Sequence, residues 1–171
     1  MKKLFVFLSI LFPAILFFYG CQPQEERTYT DAEAQKIYDN AVKLWNGGDI
    51  GIVDSLYAEN CIYHNADVAD IKGLEEMKEF ITGVYTSYPD FAVTLEEPMK
   101  FKDRTVITYK ATGTNEGPLG EEMQPTNKRI SFTGVSISKI EDGKITEEWN
   151  YYNSLVINKQ LGFKLVPVEE K

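Results

Sequence analysis

The stretch RISFTGVSISKIEDGKITEEWNYYNSLVINKQLG, from Arg129 to Gly162, decides the fold. Arg129 to Ile140 is dense in β-branched and aromatic residues, which pack well on a pleated surface, and predicts a long strand. Asp142-Gly143 supplies the positive φ angles that a two-residue hairpin turn demands. Lys144 to Asn153 returns as the second strand. Side chains alternate sides along a strand, so without a bulge Ile145, Glu147, Trp149, Tyr151 and Asn153 share one face. That face is half aromatic and half polar, which suits a pocket wall better than a dry core. Ser154 is placed to cap a last helix carrying Leu155, Val156 and Leu161, with Gly162 as its stop.

Outward from the hairpin, Glu116 to Asn127 reads as a loop, broken by Gly117, Pro118, Gly120 and Pro125. Arg104 to Thr114 reads as a strand after a turn at Lys102-Asp103. Phe91, Val93 and Leu95 alternate with smaller or polar residues, and Pro98 marks an edge or a bulge. Further upstream the period changes to that of helices. Thr30-x-x-Glu33 forms a capping box ahead of an apolar stripe of Ala34, Ile37, Tyr38, Ala41, Leu44 and Trp45, which Gly47-Gly48 ends. Asp49 begins a shorter helix with Val53, Leu56 and Tyr57 inward. Cys61 to Asn65 is a short strand. A third helix runs from about Leu74 to Tyr88, where Pro89 disfavours a helical residue before it. Helices first and an antiparallel sheet after them define an α+β domain. A curved sheet with helices on its concave side would enclose an apolar pocket.

The chain has 171 residues and a net charge of −8 at pH 7, enough length for one domain with a real core. An acidic surface repels phosphate backbones and argues against a nucleic-acid partner. Residues 1–20 read as a leader: Lys2 and Lys3, then an apolar run from Leu4 to Phe18 that is short for a membrane span. Phe18-Tyr19-Gly20-Cys21 resembles the lipobox of bacterial lipoproteins, which implies acylation of Cys21, attachment to the membrane through its lipid, and a place in the bacterial cell envelope. A plain signal peptide and an uncleaved anchor are the alternatives. Loss of Lys2 and Lys3 with the leader leaves 16 basic against 26 acidic residues. Residues 21–29 then form a flexible tether, 30–165 the domain and 166–171 a tail. With Cys21 used, Cys61 has no partner for a disulfide and reads as a buried, inert thiol.

The order of these segments resembles the SnoaL-like polyketide cyclase and ester cyclase family, within the NTF2-like cone fold. The resemblance is carried by Leu44-Trp45-Asn46-Gly47-Gly48-Asp49, Tyr63-His64, Gly73 through Phe80, and Tyr88-Pro89-Asp90-Phe91. It continues through Ala111 to Thr114, Phe132 to Ser136, Glu141 to Ile145, Glu147-Glu148-Trp149 and Gln160-Leu161-Gly162. The resemblance implies a cone-shaped pocket for a small, mostly apolar molecule, acid/base chemistry on a carbonyl compound or ester, no cofactor, and a homodimer formed through the open sheet face. In the cyclases of this family the position four residues after the tryptophan resembles an aspartate acid/base. Here it is Asn153, and an amide cannot exchange a proton near neutral pH. The family's histidine after Thr-Gly-Thr is replaced by Asn115.

Several side chains are therefore candidates. His64, the one histidine, titrates near neutrality and reads either as an acid/base at the pocket mouth or as a satisfied strand residue. Asn153 and Asn115 are candidates to orient a ligand carbonyl, and Trp149 and Tyr151 to line the pocket. Glu147 shares their face and would act as an acid if desolvated, unless the register turns it to solvent, with a bulge plausible near Gly134. Asp67 and Asp70 beside His64 are too irregularly spaced to make a metal site. Two functions stay open: an envelope enzyme moving a proton on a carbonyl compound, or a non-catalytic module that binds a small hydrophobic molecule or a partner.

Overall fold

The computed structural model describes residues 29–120, 123–164, 166 and 167. The leader, Cys21 and most of the expected tether lie outside the described residues. Helix α1 (Asp31–Gly47) starts at the predicted capping box. The Thr30 hydroxyl accepts from the Glu33 N–H at 3.2 Å, and the Glu33 carboxylate accepts from the Thr30 N–H at 2.6 Å. Gly48 stops the helix at φ +62°. Tyr29, assigned to the tether from sequence, packs into the core instead, with 6% of its surface exposed. Its hydroxyl donates to the Arg104 carbonyl at 3.0 Å and meets the Thr105 hydroxyl.

Asp49 caps a single 3₁₀ turn (Ile50–Ile52) that leads into the short helix α2 (Val53–Leu56). Strand β1 (Tyr57–Asn65) begins four residues before the expected strand, because Tyr57 is drawn into the core with Cys61 and Tyr63. The short strand β2 (Ile71–Lys72), helix α3 (Gly73–Ser87) and strands β3 (Ala92–Leu95), β4 (Met99–Phe101) and β5 (Arg104–Thr114) follow. Strands β6 (Arg129–Glu141) and β7 (Lys144–Tyr152) form the hairpin, and α4 (Ser154–Leu161) closes the chain. The sheet order is β2-β1-β7-β6-β5-β3, with β4 also on β5. Only β1 and β7 pair in parallel. Helix α1 leans on β3 and α3 on β1, so both cover one face of the sheet.

The hairpin turns at Asp142 (φ +51°) and Gly143 (φ +74°), as expected. Its second strand is not regular. Ile140 faces Ile145, but Lys139 faces Glu147, so Thr146 is an extra residue on β7. Two residues opposing one is a bulge, and it reverses the alternation of side chains from that point on. No irregularity occurs near Gly134, where the ladder runs unbroken on both sides. Before the bulge Ile145 points inward, and after it Glu148, Asn150 and Tyr152 do. The Thr146 hydroxyl is buried by the bulge and has no hydrogen-bond partner among the described residues.

Candidate functional site

Helices α1 and α3 and the inner face of the sheet enclose a cavity of about 510 Å³. Strands β1, β5 and β7 point the same way, and the exposed lining residues Asp67, Val68 and Gly120 follow the ends of β1 and β5. The mouth is therefore at the C-terminal ends of these strands. Thr105, Ser138 and Ile145 line the far end.

A row of polar groups climbs one wall. Innermost of those on β7 is Glu148, 6% exposed. Its carboxylate accepts from the Tyr57 hydroxyl at 2.7 Å and from the Ser136 hydroxyl at 2.5 Å. Burial pushes this carboxyl above its ordinary range, while the Ser136 and Tyr57 hydrogen bonds oppose the rise. One step toward the mouth, the Asn150 Oδ1 accepts from Tyr109 at 2.7 Å. Tyr109 reaches Asn150 from two strands away by passing over Gly134, where a Cβ would sit 2.3 Å from its hydroxyl oxygen. That bond takes the acceptor end of the amide, and its N–H₂ has no hydrogen bond among the described residues. At the rim, Tyr152 donates to Asn65 at 2.9 Å and to Asp67 at 2.7 Å. Burial, followed by the neighbouring Asp67, raises the Tyr152 hydroxyl well above the ordinary phenol. The remaining wall is largely aromatic, including Trp45, Phe80, Phe91 and Phe132.

Of the candidates read from sequence, His64, Asn115, Glu147, Trp149, Tyr151 and Asn153 do not line this cavity, whereas Asp67 does, at its rim. The bulge at Thr146 puts Glu147, Trp149 and Tyr151 on the outer face of the sheet, with Tyr151 54% exposed. His64 is on that face too, since its β1 position pairs with Trp149. Its ring stacks on Trp149 with centroids 5.4 Å apart, and the Arg104 guanidinium lies 4.9 Å from the Trp149 ring. Nδ1 of His64 is 2.8 Å from Asp70 and Nε2 is 3.0 Å from Glu147. The Glu147 hydrogen bond, with help from Asp70, raises the imidazole pKa against the opposing effect of burial. Both ring nitrogens are thus engaged by carboxylates on the outer face, away from the pocket mouth.

The two asparagines serve the backbone. Asn115 is fully buried. Its amide donates to the carbonyls of Ser87 (3.2 Å) and Gly117 (2.8 Å), and its carbonyl accepts the Thr126 N–H (2.7 Å) and hydroxyl (3.0 Å). All of its capacity goes to fastening the 115–127 loop to the end of α3, which leaves nothing for a ligand. Asn153, rather than Ser154, caps α4: it is exposed and accepts from the Val156 N–H at 3.4 Å. Cys61 is buried, and burial raises its thiol pKa. Among the described residues no cluster of three His, Cys, Asp or Glu could hold a metal, and no helix is long and apolar enough to cross a membrane.

Glu148 is the residue that the sequence reading passed over. A signal for it did exist. Ser136 and Ser138 stand two apart on one strand, and small hydroxyls in that pattern are unusual on a core face unless they face a polar partner.

An open curved sheet wrapped by helices around an apolar cavity is the architecture of the NTF2-like class. Within it, the SnoaL-like polyketide cyclase family model matches residues 35–161, and the chain belongs to that family. TsrD from Streptomyces laurentii has a similar structure, with TM-score 0.70, 24% identity, and coverage of 78% of this chain and 98% of that one. A protein from Jannaschia sp. CCS1 assigned as a SnoaL-like polyketide cyclase gives TM-score 0.68 at 15% identity, covering 81% and 99%. AclR from Streptomyces galilaeus, assigned as a hydroxylase, gives 0.66 at 25% identity, covering 81% and 87%. At such identities the likeness is one of fold. No curated protein sequence matches the chain.

Proposed function

We propose that the cavity is an acid/base site for a small, mostly apolar carbonyl compound or ester, with Glu148 as the group that moves the proton. The observation that carries this reading is Glu148 itself: a single carboxyl buried at the depth of an apolar cavity, its pKa raised by burial and its ionised form held by two hydroxyl donors. Such a carboxyl works as a base once ionised and as an acid once protonated, near the pH at which the two forms balance. Ionised Glu148 removes a proton from the carbon beside the substrate carbonyl, and the electron pair moves onto the carbonyl oxygen. The N–H₂ of Asn150, one same-face step away at roughly 7 Å, donates to that oxygen. Return of the proton from Glu148 completes an exchange or an isomerisation. The role that the family resemblance gave to position 153 is thus carried five residues upstream, inside the cavity.

The experiment is deuterium exchange, read by proton NMR, on a panel of apolar ketones and esters in D₂O. The expected result is protein-dependent exchange beside the carbonyl that Glu148→Gln abolishes. Exchange that persists in Glu148→Gln would remove Glu148 from the role. The second reading, a binding module without turnover, is favoured by the Tyr57 and Ser136 hydroxyls that already occupy the Glu148 carboxylate, and it predicts a bound ligand and no exchange in either protein.

A further inference from the structure

We infer that the ligand of this cavity carries a positive charge, as a protonated or quaternary amine, and that carboxylates and phosphates are rejected. The inference rests on the cavity being the ligand site, whatever reaction occurs there.

Among the described residues lining the cavity there is no Lys, Arg or His. The charge-bearing groups that line it are both acidic, Asp67 at the rim and Glu148 at the depth. Between them stand aromatic rings, among them Trp45, Tyr63, Tyr88 and Phe91. Aromatic faces carry negative potential and attract cations, most strongly where water is excluded. Basic side chains on the strands around the site are engaged on the outer surface: Arg104 over Trp149, Lys139 with Glu141, His64 between Asp70 and Glu147. None of these three lines the cavity, where an anion would need a counter-charge. The net charge of −8 adds to the same field, and a cleft lined with charge of one sign concentrates it. An anion entering here would lose its water against two acidic groups and find no counter-charge. A cation would find Asp67 on the way in, aromatic rings along the walls and Glu148 beyond.

The test uses two isosteres, phenyltrimethylammonium and tert-butylbenzene, and a planar aromatic anion, benzoate. Trp45 lines the cavity and Trp149 does not, so Trp149→Phe leaves one tryptophan as a fluorescent reporter. The expected order is the cation binding at least about tenfold more tightly than its neutral isostere, with benzoate weakest. Asp67→Asn should weaken the cation and leave tert-butylbenzene unchanged. A cation that binds no better than the neutral isostere, or fails to bind at all, overturns the inference, and so does benzoate binding as well as the cation. Failure of proton exchange with the charge order intact removes the catalytic reading alone. Exchange on neutral ketones with the charge order reversed removes this inference alone.

Discussion

Tyr57→Phe is the sharpest probe of the buried carboxyl. Tyr57 is 1% exposed, and its hydroxyl lies 2.7 Å from Glu148 Oε2, so the substitution keeps the packed ring and deletes one hydrogen bond. A hydrogen bond to a neutral partner contributes about 0.5–1.5 kcal/mol, and one to a charged partner about 1.5–3 kcal/mol. The cost of Tyr57→Phe should therefore rise by roughly 1–2 kcal/mol as Glu148 passes from acid to carboxylate. The wild-type background has its own slope. Because the folded pKa of Glu148 is raised, the folded state holds that proton more tightly than the unfolded chain. The resulting stabilisation is complete below the unfolded value of 4.5 and is lost as pH rises through the folded value. Deleting the Tyr57 hydroxyl raises the folded pKa further and steepens that loss. Urea unfolding of both proteins across the acid-to-alkaline range measures the difference directly, with equal m-values confirming that the same surface unfolds. In a Glu148→Gln background the same substitution should cost the same at every pH. A pH-independent cost in the wild-type background would show that Tyr57 does not act through the carboxylate.

Two other sites give independent readings. His64→Gln should remove a stabilisation of about 0.2–1 kcal/mol that is fully present below the unfolded pKa, near 6.5, and disappears as pH rises through the raised folded value. It should leave the proton-exchange rate untouched, and thermal melts across neutral pH with a parallel rate assay check both parts. Thr146→Val keeps the bulge's shape and removes a buried hydroxyl without a partner, so it should stabilise by about 1–2 kcal/mol in urea unfolding. A loss of stability would mean that the hydroxyl has a role the geometry does not express.

The fold was legible where one local signal has one meaning. The capping box at Thr30, the left-handed stop at Gly48 and the Asp142-Gly143 turn each state a backbone conformation in two to four residues. The site was illegible for a reason equally local. Threonine is as good in a regular strand as in a bulge, so nothing in the run Lys144-Ile145-Thr146-Glu147-Glu148 announces that alternation breaks at Thr146. One residue of slip exchanged Glu147, Trp149 and Tyr151 for Glu148, Asn150 and Tyr152. Asn115 and Asn153 show a second limit. An amide near a strand end can face a ligand or satisfy the backbone, and only the loop and helix packed around it decide which. Tyr29 shows a third: an aromatic just outside a helix cap is silent until the strand that receives it is in place.

Tyr29 also fixes the end of the cone from which the chain enters α1. It is fastened where β5 begins, at Arg104 and Thr105, whereas the cavity opens where β5 ends. Eleven residues of strand separate the two points, roughly 33 Å of extended backbone. The chain thus enters α1 from the closed tip of the cone, as a stem meets the base of a cup. The mouth and the Tyr29 fastening therefore lie at opposite ends of the cone.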